Sequence, residues 1–226
     1  MMNIWMYVRM KEVAMTTSMK QHWDNVYSSK KINQLGWYEE ISAPSLELLS
    51  KCAINKGVTL LDIGTGASTL IDSLIEAGFT NIIASDISET ALSKLRERLG
   101  KEKAALVKWI VDDITNPVHI QSLGEVDVWH DRAVLHFLVE EDERNAYLAT
   151  LKKVVKQGGY VLIATFSLNG AKKCSGLDIR NYDEKLLVEF MGEEFELIEH
   201  FDHMYYMPSG EARPYIYTLF QRKQKI

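Results

Sequence analysis

The chain has 226 residues, a quarter of them charged and 46% apolar, with a formal net charge of −5. That composition excludes a disordered chain and a membrane-embedded one, and it predicts one soluble domain able to close a hydrophobic core. The acid excess argues against nucleic-acid and membrane partners, and the two widely separated cysteines, Cys52 and Cys174, exclude a disulfide framework and suit a reducing cytoplasm.

Residues 1–18 read as a loosely packed extension preceding a single domain at 19–226. The apolar run from Ile4 to Val8 is too short for a secretory signal core, and Met15 or Met19 offers a later start. Residues 19–55 form an entry segment. Trp23, Tyr27, Trp37 and Tyr38 crowd its first half, as a lid over a site or as a buried edge of the core, while Leu46, Leu49 and Ala53 mark a packing helix.

From residue 58 the pattern alternates between short apolar runs and helical stripes. Strands are predicted at Val58 to Ile63, Asn81 to Ser85, Leu106 to Val111, Val126 to His130 and Tyr160 to Thr165, mostly apolar on both faces as in a parallel sheet. Ala67, Leu70, Ile71, Leu74 and Ile75 make the first intervening helix. Ala91, Leu92, Leu95 and Leu99 make the second, with Ser88 as N-cap and Gly100 past its end; Tyr147, Leu148, Leu151, Val154 and Val155 make the third, closed by Gly158-Gly159. After a short helix at Leu186 to Met191, the runs Phe195 to Phe201 and Tyr215 to Phe220 are joined by a loop too short for a crossover, so they pair antiparallel. The prediction is an α/β fold with a doubly wound, mostly parallel sheet and an antiparallel C-terminal strand pair.

Chemistry concentrates where strands end. The stretch Leu60-Leu61-Asp62-Ile63-Gly64-Thr65-Gly66-Ala67-Ser68 places two glycines where the first strand turns into a helix, allowing close approach of a nucleotide-like ligand to free N–H donors. Asp86 follows about 20 residues on, where a carboxylate accepts hydrogen bonds from ribose hydroxyls. The third strand ends in Asp112-Asp113-Ile114, which offers a carboxylate for an adenine amino group and an apolar side chain for its ring. A dinucleotide site would carry a third glycine, but Thr69 stands there, and the acid of Asp62 suits an ammonium better than a pyrophosphate.

These features resemble motif I of the class I S-adenosylmethionine-dependent methyltransferases, from about Trp23 to the C-terminus, which implies the seven-stranded Rossmann-like sheet of that family. The resemblance implies S-adenosyl-L-methionine as cofactor: the methionine moiety at Asp62, Gly64, Thr65 and Gly66, the ribose at Asp86 with Ile87 beside it, and the adenine at Asp113 and Ile114. Asp112 competes with Asp113 for the last role, and His130 and Trp37 are further candidates to border the cofactor. Closure of the entry aromatics over the sulfonium would be a cation–π contact.

For the acceptor, the stretch after the fourth strand, Asp131-Arg132-Ala133-x-Leu135, is similar to thiopurine S-methyltransferases and related small-thiol methyltransferases, with His130 and Ala133 departing from their tryptophan and glycine. It implies a small-molecule acceptor, a thiol or other chalcogen, with Arg132, His130 and His136 as the groups that generate or stabilise a thiolate. The alternative is a protein lysine N-methyltransferase, which shares the Trp23-x-x-x-Tyr27 spacing but carries Asp-Lys-Gly-Thr where this chain has Arg132 and Ala133. An NAD-dependent oxidoreductase and a non-catalytic binding module rank below both. No metal site is expected, since His200 and His203 would face opposite sides of a strand.

Overall fold

The computed structural model describes residues 18–225; the expectations for residues 1–17 lie outside them. Helix α1 covers residues 18–29. After a single 3-10 turn, Pro44 in its first turn starts α2 (Ala43–Ser50). The strands and helices then alternate as β1 (Thr59–Ile63), α3 (Leu70–Glu76), β2 (Asn81–Asp86), α4 (Glu89–Ala104), β3 (Val107–Val111), β4 (Val126–Arg132), α5 (Glu141–Val154) and β5 (Val155–Phe166). A small hairpin, β6 (Lys173–Cys174) and β7 (Leu177–Asp178), precedes α6 (Glu184–Met191), β8 (Phe195–Tyr206) and β9 (Ala212–Arg222).

Seven strands form one sheet in the order β3-β2-β1-β4-β5-β9-β8. The first five run parallel, β9 pairs antiparallel with β5, and β8 returns along β9. Alternate residues of each strand feed opposite cores. Leu60, Ile82 and Val128 meet α2, α3 and α4 on one face, while Leu61, Ile83 and Trp129 meet α5 and α6 on the other. The doubly wound architecture and the antiparallel C-terminal pair are therefore as predicted. The sheet order reverses between β1 and β4, so ligands belong beyond the C-terminal ends of those strands.

Several boundaries moved for local reasons. Ala67 lies in the bend before α3, and Ala53 lies past the end of α2. Ser88 caps α4 by accepting the Ala91 N–H, as expected. Gly100 takes φ 74° and breaks the helical path, yet a further turn follows it to Ala104. Gly158 and Gly159 sit inside β5, where the register against β4 shifts between Val126 and Val128; a side chain at Gly159 would come within 3.0 Å of the Asp127 carbonyl.

Candidate functional site

Both glycines of the β1–α3 bend are required by backbone and by neighbours. Gly64 and Gly66 have φ of 62° and 57°, in the left-handed region. A Cβ at Gly64 would stand 2.0 Å from Val134 Cγ2, and one at Gly66 2.3 Å from the Tyr27 hydroxyl. The Thr65 N–H bonds to Ser85 O at 2.9 Å, tying the bend to β2. Asp86 completes the tie, its Oδ2 accepting from Gly66 N–H and its Oδ1 from Ser88 N–H, both at 2.8 Å. Burial pushes the Asp86 carboxyl up to about 6 against those two donors.

A cavity of about 1060 Å³, counted with its open mouth, lies over this bend. Gly64, Asp86, Ile87, Asp113 and Ile114 line it together with the entry aromatics Trp23, Tyr27 and Trp37 and with Phe137 and Tyr215. The two acids after β3 are distinguished by what they already hold. Asp112 accepts from the backbone N–H groups of Val118, His119 and Ile120, so its carboxylate is committed to the loop. Asp113 binds the N–H and hydroxyl of Thr115, both through Oδ1.

A side pocket shares Gly64, Trp37 and Arg132 with the main cavity and adds Asp62, Thr65 and His130. Thr65 and His130 therefore border this pocket and not the main cavity. His130 Nδ1 stands 2.6 Å from Asp62 Oδ1, its Nε2 stands 2.9 Å from Ser45 Oγ, and Asp62 Oδ2 is buried without a partner.

Two of the expected acceptor-side residues, Arg132 and His136, are held by other groups. Arg132 borders both spaces, but its charge is committed: one guanidinium nitrogen is 2.9 Å from Glu39, Nε donates to the Tyr217 hydroxyl, and another nitrogen donates to Trp37 O. Burial opposes that charge, and Tyr217, Tyr215 and Glu39 more than restore it, holding Arg132 above its ordinary value. His136 does not reach the cavity. It is fully buried, its ring lies 4.4 Å from that of Phe137 and 4.8 Å from that of Phe166, and burial with the Arg132 charge pushes it down to about 3, so it stays neutral. Among the described residues no group of three His, Cys, Asp or Glu is placed to hold a metal, and no helix is long and apolar enough to cross a membrane.

The glycine-supported bend, the strand-end acids and the unpaired Asp62 carboxylate oxygen beside an adjoining pocket fit an adenosyl amino acid that carries an ammonium. The sequence family described as "Methyltransferase domain" matches residues 54–205. The chain belongs to that family. It is an S-adenosylmethionine-dependent methyltransferase of the class I fold. It is similar to EEF1A lysine methyltransferase 2 of Homo sapiens, 29% identical over 198 residues that cover 80% of this chain and 75% of the relative. The Mus musculus protein of that name is 28% identical over 191 residues, covering 80% and 72%. Among solved structures, a SAM-dependent methyltransferase from Anabaena variabilis superposes with a TM-score of 0.73 at 12% identity over 92% of this chain and 95% of that one. A Burkholderia thailandensis 1,6-didemethyltoxoflavin-N1-methyltransferase with bound S-adenosylhomocysteine does so at 0.64 and 18%, over 95% and 90%.

Several residues that shape the site of this methyltransferase carry no motif. Asp24 accepts from the Ser88 hydroxyl at 2.7 Å and from Thr90 N–H at 3.2 Å, and Lys94 donates to Tyr27 O and Lys30 O, fastening α1 across the start of α4. Asp131 receives Val134 N–H, Leu135 N–H and the Tyr147 hydroxyl, and so builds the turn that presses Val134 onto Gly64. Within that turn Ala133 adopts φ 73°, a conformation that costs a non-glycine residue roughly 1–2 kcal/mol. Only the Trp23-Asp24 adjacency hinted at the first of these; the rest depend on chain segments far apart.

Proposed function

We propose that this methyltransferase modifies a lysine ε-amino group of a protein. One observation carries the reading: five aromatic side chains line the cavity, and the one guanidinium bordering it among the described residues is already neutralised by Glu39. A thiolate needs a free cation to raise its population. A lysine needs the reverse, because aromatic faces attract its ammonium during entry and a water-poor pocket favours the neutral amine that can attack. Trp23 and Trp37, with ring centroids 5.7 Å apart, and Tyr27, 5.7 Å from Trp37, would supply those faces.

When bound, S-adenosylmethionine supplies a methyl group on a sulfonium that needs no further activation. The work left to the chain is holding and aligning, for which up to roughly 7–11 kcal/mol of the barrier is available. Asp86 would hold the ribose hydroxyls with the acceptor positions its two backbone donors leave free, and Asp113 with Ile87 and Ile114 would hold the adenine. Asp62 and the bend from Gly64 to Gly66 would hold the amino-acid moiety, and Tyr27 and Trp37 would keep water from the site. Arg132 then serves as the strap that joins the entry segment to β9, and neither it nor His136 is a base.

A further point supports the lysine reading over the thiol one: the curated relatives are named lysine methyltransferases. The test is methyl transfer followed by mass spectrometry, with lysine-bearing proteins and peptides set against a panel of small thiols. EEF1A, the substrate in the relatives' name, is the first protein to offer. Methyl-lysine is expected, with Trp23→Ala raising the acceptor KM. Thiols methylated in preference to every lysine acceptor would overturn the proposal.

A further inference from the structure

We propose that Ser45 and His130 are positioning residues that set the charge of the cofactor's amino-acid pocket through Asp62. All three side chains are buried, at 0%, 2% and 2% exposure for Ser45, His130 and Asp62. They form a single line, Ser45 Oγ to His130 Nε2 at 2.9 Å and His130 Nδ1 to Asp62 Oδ1 at 2.6 Å. At the end of that line Asp62 Oδ2 is buried without a hydrogen-bond partner.

The direction of the line follows from counting donors. Ser45 has one hydroxyl proton and one side-chain partner, so satisfying that proton in a buried site makes it the donor to Nε2. A ring nitrogen that accepts carries no proton, so His130 is the neutral tautomer with its N–H on Nδ1, donating to Asp62. Three groups together then carry a charge of −1. A doubly protonated His130 would cancel Asp62 and leave the Ser45 proton without an acceptor. A buried carboxylate with one oxygen unpaired is costly unless a cation reaches it. The pocket that Asp62 lines shares Gly64 with the main cavity, and the α-ammonium of the cofactor's amino acid is the cation that fits. Ser45 thus acts from α2, one layer behind the cofactor, by denying His130 its second proton.

This inference rests on the placement of the cofactor given above and is independent of the acceptor. The test is isothermal calorimetry with two thioethers, S-adenosylhomocysteine, which has the ammonium, and 5′-methylthioadenosine, which shares the adenosine and lacks the amino acid. Ser45→Ala should weaken S-adenosylhomocysteine by about fivefold or more, the worth of one modest hydrogen bond. Binding of 5′-methylthioadenosine should stay within about twofold, the size of ordinary non-additivity. In a His130→Asn background, where the side chain still donates to Asp62 and cannot take a second proton, Ser45→Ala should cost less than about twofold for either ligand. Ser45→Cys, nearly isosteric and a weak donor, reads the same split should the alanine variant not fold. Equal losses for the two ligands, or a Ser45 effect that persists undiminished in the double variant, would overturn the relay. Asp86→Ala should weaken both ligands, and if it weakened neither, the cofactor placement and the relay would fall together.

Discussion

Removing the Asp86 carboxylate tests the cofactor site most directly. Its oxygens each accept one backbone N–H at 2.8 Å, and each keeps further acceptor capacity for a ribose hydroxyl. A hydrogen bond to a charged acceptor contributes about 1.5–3 kcal/mol, so losing even one such bond in Asp86→Ala should weaken S-adenosylhomocysteine by about tenfold to a hundredfold. The fold itself should suffer less, because the orphaned Gly66 and Ser88 donors are offset by relief from a buried carboxylate. The wild-type protein carries a matching pH signature. Burial raises Asp86 from 3.8 to about 6, so the native state binds its proton more tightly than the unfolded chain does. Its contribution to stability is therefore full below about pH 4 and declines as pH rises through about 6, and Asp131, also raised to about 6 by burial, declines in the same window. Cofactor binding runs the other way. Ribose hydroxyls favour the carboxylate, so affinity should fall by up to about tenfold per pH unit below pH 6. Calorimetry across this range reads both effects. An Asp86→Ala variant with unchanged affinity, together with a flat wild-type profile, would refute the reasoning.

Two other substitutions probe how the site is built. Gly66→Ala should weaken cofactor binding more than tenfold by forcing a Cβ against the Tyr27 hydroxyl at φ 57°, and adding Tyr27→Phe, which deletes the clashing oxygen, should restore part of the loss in the same binding assay. Tyr147→Phe removes a donor to Asp131 and the acceptor of the Trp129 indole N–H, each 2.8–2.9 Å away. It should cost about 2–4 kcal/mol and roughly 5–15 °C of melting temperature, and a loss under about 1 kcal/mol would count against the buried network.

The entry aromatics show why the acceptor was harder to read than the cofactor. Asp62, Gly64, Gly66, Asp86 and Asp113 are each placed by the end of a strand whose apolar run is visible in the chain, so their positions in the fold could be anticipated from spacing. Arg132 ends the fourth strand and His136 follows it closely, yet the arginine's partners come from the entry segment and β9, and the histidine is enclosed with the help of β5. The arginine met Glu39, Trp37 and Tyr217 and became a strap, while the histidine was enclosed between Phe137 and Phe166. A charged residue's role depends on what neutralises it, and nothing within a short stretch names that partner.

Local periodicity and turn chemistry were enough to specify the alternating strands and helices, the glycine bend and the acids at strand ends, because these depend on contacts within a few residues. Tertiary structure alone decided which groups are open to a ligand. Ser45 and His130 are 85 residues apart, and Tyr27 approaches Gly66 only once α1 has packed against the start of α4. Whether a buried polar group binds a ligand or only a neighbour depends on the count of donors and acceptors around it, and that count closes only when distant segments pack.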